Sequence, residues 1–238
     1  KNINHFLATP SQAGLQQARA AWITAREWYG QTEAFRFYGG PIDSGTGPEW
    51  RINPWPVDES YIDYVQGRPE AGLINQRSTK LGKASIAALN ERGGLENIST
   101  GWHAIEFLLW GQDFNESGPG KRPFEDYIDG QAPNADRRRA YLRAVTELLI
   151  DDLRFVLAAW APATPNYRKR FESEGLEALR KIIVGMGTLS RGELAGERLE
   201  VALSTQEQED EQSCFSDNTH RDVVNNTLGI ENVWLGRF

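Results

Sequence analysis

One segment, GWHAIEFLLWG at residues 101–111, places a histidine and a glutamate in an otherwise apolar run. His103 and Glu106 are three residues apart, and positions i and i+3 lie on the same face of an α-helix. A helix that is apolar nearly all round is buried, and a buried carboxylate is costly unless it has a partner. Imidazole and carboxylate groups together suit a divalent or ferric cation, so the pair predicts a metal site.

The same pair also has a purely structural interpretation, and the spacing alone leaves both open. A buried histidine and glutamate can instead hydrogen-bond to backbone groups or to an arginine. The HxxE spacing also differs from HExxH, in which two histidines and a catalytic glutamate share one helical face. The motif therefore indicates a metal site without identifying the ion.

Further candidate ligands are selected by their local context. Glu33 flanks an apolar helical stripe, and Asp58 and Glu59 follow a Trp-Pro loop that can hold them rigidly. Asp217 and His220 are expected to share a turn at the start of the last helix, where Ser216 or Asp217 has a second interpretation as the helix N-cap. The predicted metal ligands are His103, Glu106, Glu33, Asp58, Glu59, Asp217 and His220.

Composition limits the classes of function. The 238 residues are 39% hydrophobic and 25% charged, as in ordinary globular proteins. The formal net charge of −7 disfavours nucleic acid as a partner, because phosphate binding needs a basic face, and it is compatible with a cation. The single Cys214 excludes an internal disulfide. No run approaches the roughly 20 apolar residues of a transmembrane helix, and the start, KNINHFLATP, is not signal-like, so we expect a mature or trimmed chain.

Helical periodicity accounts for most of the chain. Apolar residues recur at three- and four-residue steps from Ser11 onwards and most strongly over residues 135–162, whereas residues 40–58 and 111–137 are predicted loops. Alternating strand patterns are hard to find, so the predicted fold class is all-α, with antiparallel helices packed as bundles.

The prolines at 162 and 165 end the most regular helix and mark the predicted domain boundary. Residues 1–161 would form an N-terminal helical bundle that contains the HxxE helix, and residues 162–238 would begin a second bundle. An acidic helix followed by an irregular stretch occurs in both parts, which suggests two bundles related by duplication.

Several segments, in the right order, resemble the imelysin-like family. GWHAIEFLLWG is similar to the family's GxHxxE signature, with Gly101, His103 and Glu106 in place. The iron-regulated imelysin-like proteins of bacteria, cyanobacteria included, are the branch that the chain resembles. The other matching segments are AREWYGQTEAFRFYGGPID at 25–43, WPVDESYIDYV at 55–65 and SCFSDNTHRDVVNN at 213–226.

This resemblance implies a fold and a location. The family fold is two helical bundles related by duplication, with the functional site between them and the GxHxxE segment at its core. Family members run past the NVWLGR segment at 232–237, so either this chain is truncated or cleaved and its second bundle is incomplete, or that bundle is closed by something else. The resemblance also implies a protein outside the cytoplasm, periplasmic or attached to a membrane.

The function implied by the resemblance is iron binding for iron uptake or homeostasis. The expected ion is Fe²⁺ or Fe³⁺, with Zn²⁺ or another divalent cation as the alternative, and a membrane iron-transport component is the expected partner. Some family members are named peptidases, so a metal-dependent peptidase is the alternative function. The chain shows neither an HExxH base nor a GxSxG nucleophile turn, so no catalytic residue is assigned and a binding protein is favoured over an enzyme.

Overall fold

The computed structural model describes residues 1–115, 117–162 and 165–237. Helices account for 62% of the structure, and the described ranges contain no strand beyond one isolated bridge between Val65 and Arg68. The prediction of an all-α fold is therefore confirmed. Residues 163 and 164, inside the predicted boundary region at 162–165, lie outside the described residues.

The helices vary widely in length, and a π-helical stretch, Leu189–Glu200, joins two of them. No helix in the described part of the chain is both long enough and apolar enough to cross a bilayer. The α-helices are α1 (Asn2–Ala8), α2 (Gln12–Thr32), α3 (Glu49–Ile52), α4 (Glu59–Ile62), α5 (Lys83–Leu89), α6 (Gly101–Trp110), α7 (Ala135–Trp160), α8 (Tyr167–Ser173), α9 (Leu176–Thr188), α10 (Val201–Thr205) and α11 (Thr219–Leu235).

The chain divides into two compact units, each made of three separate stretches. Unit 1 comprises Lys1–Ile23, Arg51–Asp151 and Ser213–Asp217, and unit 2 comprises Thr24–Trp50, Asp152–Gln212 and Asn218–Phe238. The long helices α2 and α7 each contribute residues to both units. The units therefore interleave along the chain, and the division into domains 1–161 and 162–238 stays a prediction. A duplication that relates two bundles stays a prediction.

Helix α6 in unit 1 carries the GxHxxE motif, and all ten of its residues are buried. Its first residue, Gly101, has a φ of +84°, and a Cβ there would lie 2.5 Å from the carbonyl oxygen of Ile52. Only glycine fits so close an approach in this conformation. Just before the helix, the Asn90 side-chain oxygen accepts hydrogen bonds from the backbone N–H groups of Ser99 and Thr100, at 2.8 and 3.2 Å.

The last carbonyl groups of α6 are also satisfied by hydrogen bonds. Arg19 of α2 donates to the carbonyl oxygen of Leu109 from two nitrogens, at 2.8 and 3.0 Å, and the Tyr127 hydroxyl donates to that of Leu108. Carbonyl groups at a helix C-terminus lack partners within the helix, so these contacts allow α6 to end in the core. Both ends of the motif helix are thus held in place within unit 1.

A buried ion-pair network fixes the segments around α6. The carboxylate of Asp63 accepts hydrogen bonds from Arg138 of α7 at 2.6 and 3.0 Å and from Arg122 at 2.9 Å. Arg122 also donates to Asp126 at 2.9 Å. Burial alone would raise the pKa of Asp63, but the two guanidinium groups outweigh it and hold that pKa below its ordinary value.

We predict that Asp63→Asn lowers the free energy of unfolding by about 3–5 kcal/mol, because it leaves buried guanidinium groups without their shared anion. The matched control is Asp151→Asn, whose carboxylate pairs with Lys83 at 2.6 Å on the surface, where both side chains are nearly half exposed. That change should cost less than about 1 kcal/mol. Urea unfolding at pH 7 measures both, and equal losses would contradict the assigned role of Asp63.

The pH dependence of stability provides a second prediction about the same network. The pKa of Asp63 is lower in the folded chain than in the unfolded chain, where the pKa of an aspartate is about 3.9. The contribution of Asp63 to the free energy of unfolding is therefore complete above its pKa in the unfolded chain, and it is lost as the pH falls through its pKa in the folded chain. Urea unfolding from roughly pH 5 to pH 3 should show a steeper loss in the wild type than in Asp63→Asn. Parallel curves would contradict this expectation.

Candidate functional site

His103 and Glu106 contact each other directly on α6. The Nδ1 atom of His103 and the Oε2 atom of Glu106 are 2.8 Å apart, and neither side chain is exposed to solvent. An ionised carboxylate only accepts hydrogen bonds, so the Nδ1–H group of His103 is the donor. The predicted shared helical face is therefore present, and it is closed to water.

The other carboxylate oxygen of Glu106 is held by Ser216, which lies 110 residues further along the chain. The backbone N–H of Ser216 donates to Oε1 at 2.9 Å, and its hydroxyl donates to the same atom at 2.6 Å. Ser216 ends a short turn that lies between two residues with positive φ, Ser213 at 62° and Asp217 at 56°. Such angles are unfavourable for non-glycine residues, and they persist where the surrounding structure imposes them.

Aromatic rings pack against the imidazole. Trp55, from the Trp-Pro loop, lies edge-on to the His103 ring with 4.7 Å between ring centroids. Phe215 contacts the Trp55 ring at 5.9 Å and the Phe107 ring at 5.3 Å. Because the site excludes water, the hydrogen bonds inside it are stronger electrostatically than they would be at the surface.

The order of the polar side chains differs from that of a hydrolase triad. In serine hydrolases the imidazole lies between the hydroxyl and the carboxylate, and it accepts the proton of the hydroxyl. Here the carboxylate of Glu106 lies in the middle, and the Ser216 hydroxyl donates to it. This arrangement orients the imidazole and does not activate Ser216 as a nucleophile.

Glu33, a predicted metal ligand in unit 2, is buried beside a cation of the protein itself. Its carboxylate accepts a hydrogen bond from Arg198 at 2.5 Å. Burial alone would raise the pKa of Glu33, but the positive charges of Arg198, Arg26 and Arg36 outweigh it, so the pKa is lowered. The buried charge is thus balanced by arginines, which explains how a glutamate can lie beside an apolar stripe.

The remaining predicted ligands have other environments. Asp58 is the N-cap of α4, where it accepts hydrogen bonds from the backbone N–H and hydroxyl of Ser60 at 2.9 and 2.6 Å, and Glu59 is the first residue of that helix. Helix α11 begins after Asn218, so the alternative role of Asp217 as its N-cap is not observed. Asp217 is half-buried, and His220 is exposed in the first turn of α11.

Two predicted ligands, His103 and Glu106, are in direct contact. Among the residues that the structure describes, no three His, Cys, Asp or Glu side chains are grouped closely enough to hold a metal ion. The site therefore offers one imidazole and one carboxylate that orients it. The full set of seven metal ligands stays a prediction.

Trp55 and Ser216 belong to the site but were not assigned to it from the sequence. Both lie in segments that carry the family resemblance, 55–65 and 213–226, and that is the signal from which they could have been found. The contact of Ser216 with Glu106 is not predictable from spacing, because the two residues are 110 positions apart.

These features define an all-α protein whose buried helix carries a Gly-x-His-x-x-Glu motif. The sequence profile of the imelysin family, Peptidase M75, matches residues 1–237. The chain therefore belongs to the imelysin family, as the motif indicated.

Two comparisons are consistent with this membership. The chain is 28% identical over 245 residues to iron-regulated protein A of Synechococcus elongatus, and the match covers 99% of this chain and 56% of that relative. The chain thus spans little more than half the length of the relative. A crystal structure from Parabacteroides distasonis, described as a candidate iron-regulated protein A precursor, has the same fold, with a TM-score of 0.64 and 18% identity. That match covers 97% of this chain and 64% of the other.

We predict that Ser216→Ala lowers the free energy of unfolding by about 1.5–3 kcal/mol, the usual contribution of a hydrogen bond to a charged group. The matched control is Ser204→Ala, because the Ser204 hydroxyl is exposed and bonds only to carbonyl groups of its own helical segment. The control should change stability by less than about 0.5 kcal/mol. Urea unfolding followed by circular dichroism measures both, and equal effects would show that the Ser216 contact does not hold Glu106.

Proposed function

We propose that this protein binds iron outside the cytoplasm, in the periplasm or at a membrane surface, and serves iron uptake or homeostasis. Membership in the imelysin family and the likeness to iron-regulated protein A over 99% of the chain support this proposal. A membrane iron-transport component is the proposed partner. The observation that carries the proposal is the buried hydrogen bond between His103 and Glu106.

This hydrogen bond has the geometry of an oriented metal ligand. Metal-binding histidines usually donate their second ring N–H to a carboxylate or carbonyl oxygen, which fixes the tautomer and makes the ligating nitrogen more basic. Glu106 stands in that position at Nδ1, so the lone pair of a neutral His103 lies on Nε2. We therefore assign His103 as the ligand and Glu106 as the residue that orients it.

The other donors to the ion are proposed to be oxygen atoms of water or of a chelating anion. No group of three His, Cys, Asp or Glu side chains within the described residues forms a complete site around an ion. Ferric iron accepts hard oxygen donors readily, whereas structural zinc sites are usually closed by four protein ligands. This difference favours iron over zinc as the bound ion.

A metal-dependent peptidase is the second candidate, and the family's description as Peptidase M75 favours it. Such an enzyme needs a metal-bound water, an open coordination position and a general base. The carboxylate of Glu106 already accepts hydrogen bonds from His103 and Ser216, so it is not placed to take a proton from a bound water. The geometry therefore supports binding better than hydrolysis.

We predict that iron raises the melting temperature of the wild type and that His103→Ala abolishes the increase. A ligand bound only by the folded state stabilises it by about 2.7 kcal/mol at 100 times its dissociation constant. His5→Ala is the matched control, because His5 is exposed on α1 and is not one of the predicted ligands, and it should keep the increase. Thermal unfolding with Fe²⁺ without oxygen, and with chelated Fe³⁺ in air, measures the effect, and metal analysis of the purified variants confirms it.

Two further measurements separate binding from hydrolysis. The stabilisation by iron should weaken as pH falls, because protons compete with the metal for the imidazole. An unfolded test protein should stay intact with iron, with zinc and without metal. Metal-dependent cleavage that is lost in Glu106→Gln would establish the peptidase, and equal iron binding by His103→Ala and His5→Ala would contradict the assigned ligand.

A further inference from the structure

A pocket of about 380 Å³ in unit 1 adjoins the buried motif. Helix α2 forms one wall through Gln16, Arg19 and Ile23, and residues 118–121 form another. Trp110 and Ser216 also line the pocket. Pockets that bind small molecules usually measure roughly 300–1,000 Å³, so the volume suits a small organic ligand.

Two cationic side chains line this pocket, and neither pairs with a carboxylate in the described part of the chain. Arg19 donates to the backbone carbonyl oxygens of Leu109 and Arg122, at 2.8–3.0 Å, and lies over the Trp110 ring. Lys121 is exposed, and the ion pairs of the described residues do not include it. Burial is the main cause that lowers the pKa of Arg19, and the nearby charge of Arg122 adds to it.

The charge of Arg19 has no carboxylate partner among the described residues, whereas the charges of two other arginines in unit 1 do. Arg122 and Arg138 are buried against Asp63, so their charges are compensated within the protein. The described lining of the pocket contains no aspartate or glutamate. Cations that lack a carboxylate partner in a concave site attract anions, even in a chain with a net charge of −7.

We propose that this pocket binds a small polycarboxylate anion of the kind that chelates ferric iron. Binding of the iron-loaded anion rests on the proposed function, whereas binding of the metal-free anion does not. Arg19 and Lys121 belong to different segments, so they can contact two carboxylates of one ligand. The apolar surfaces of Ile23 and Trp110 suit a ligand with a carbon skeleton better than a compact inorganic anion. Gln16 and Ser216 add polar groups to the lining.

Ser216 connects the pocket with the GxHxxE motif. Its hydroxyl and backbone N–H hold Glu106, which in turn accepts the hydrogen bond of His103. A ligand beside Ser216 is therefore connected to the imidazole through two successive hydrogen bonds.

The test uses citrate as the probe and isothermal titration calorimetry on the metal-free protein at low salt. Citrate should bind the wild type, and Lys121→Gln should weaken that binding by about tenfold, because it removes one charge-assisted contact. Lys80→Gln is the matched control, because Lys80 is an exposed lysine of unit 1 outside the pocket, and it should leave the affinity unchanged. Equal affinities of the two lysine variants, or no citrate binding by the wild type, would overturn the proposal.

Two further comparisons locate the site and define the anion. A neighbouring pocket also includes Lys121 but is lined by Gln112 and not by Arg19. Arg19→Gln should therefore weaken citrate binding while Gln112→Ala leaves it unchanged, and the opposite result would overturn the proposed location. Acetate and inorganic phosphate should each bind at least about tenfold more weakly than citrate, since each lacks multiple separated carboxylates. Phosphate that binds as tightly as citrate would overturn the polycarboxylate assignment.

Measurements with citrate and with iron distinguish the proposed anion pocket from the proposed iron site. Binding of metal-free citrate that depends on Lys121, without any iron effect that depends on His103, would support this pocket and contradict the iron site. An iron effect that depends on His103, without citrate binding, would contradict this pocket and support the iron site. If both hold, His103→Ala should keep the citrate binding and lose the iron effect, whereas Lys121→Gln should weaken citrate binding and keep the iron effect.

Discussion

The buried carboxylate of Glu106 is the group on which the arrangement of the site depends. A carboxylate without hydrogen-bond donors in an apolar core would cost several kcal/mol or more, so the fold must bring donors to it. They come from His103 on the same helix and from Ser216, which is distant in sequence. The requirement to satisfy one charge therefore fixes the imidazole and ties the segment 213–217 to α6 within unit 1.

Other buried charges in the chain are balanced differently. Asp63 is surrounded by Arg122 and Arg138, and Glu33 lies beside Arg198. Those carboxylates face permanent cations and serve as links between segments. Glu106 faces an imidazole and a hydroxyl, which carry no permanent charge. The hydrogen bonds described for Glu106 therefore come from uncharged donors, a setting that suits an oriented ligand.

Local patterns in the sequence were sufficient for the long helices and for the pairing of His103 with Glu106, since both follow from the helical period, but the predicted loop 40–58 contains the short helix α3 (Glu49–Ile52). They were not sufficient for the partners of the acidic residues. Glu33, a predicted metal ligand, accepts a hydrogen bond from Arg198, which lies 165 positions away. Asp58 was likewise selected for its place after a rigid loop, and it caps α4. Such assignments depend on tertiary contacts, and a single sequence carries no direct signal of which distant residue will meet a given carboxylate.

The distance along the chain between Glu106 and Ser216 has a consequence for the order of folding. Contacts between residues far apart in sequence form late, because the entropy cost of closing a long loop must be met before these contacts can stabilise the chain. During synthesis, α6 leaves the ribosome 110 residues before the segment that satisfies its carboxylate. Until that segment arrives, Glu106 lacks the two donors of Ser216, so the core of unit 1 can be completed only after residue 216 has been made.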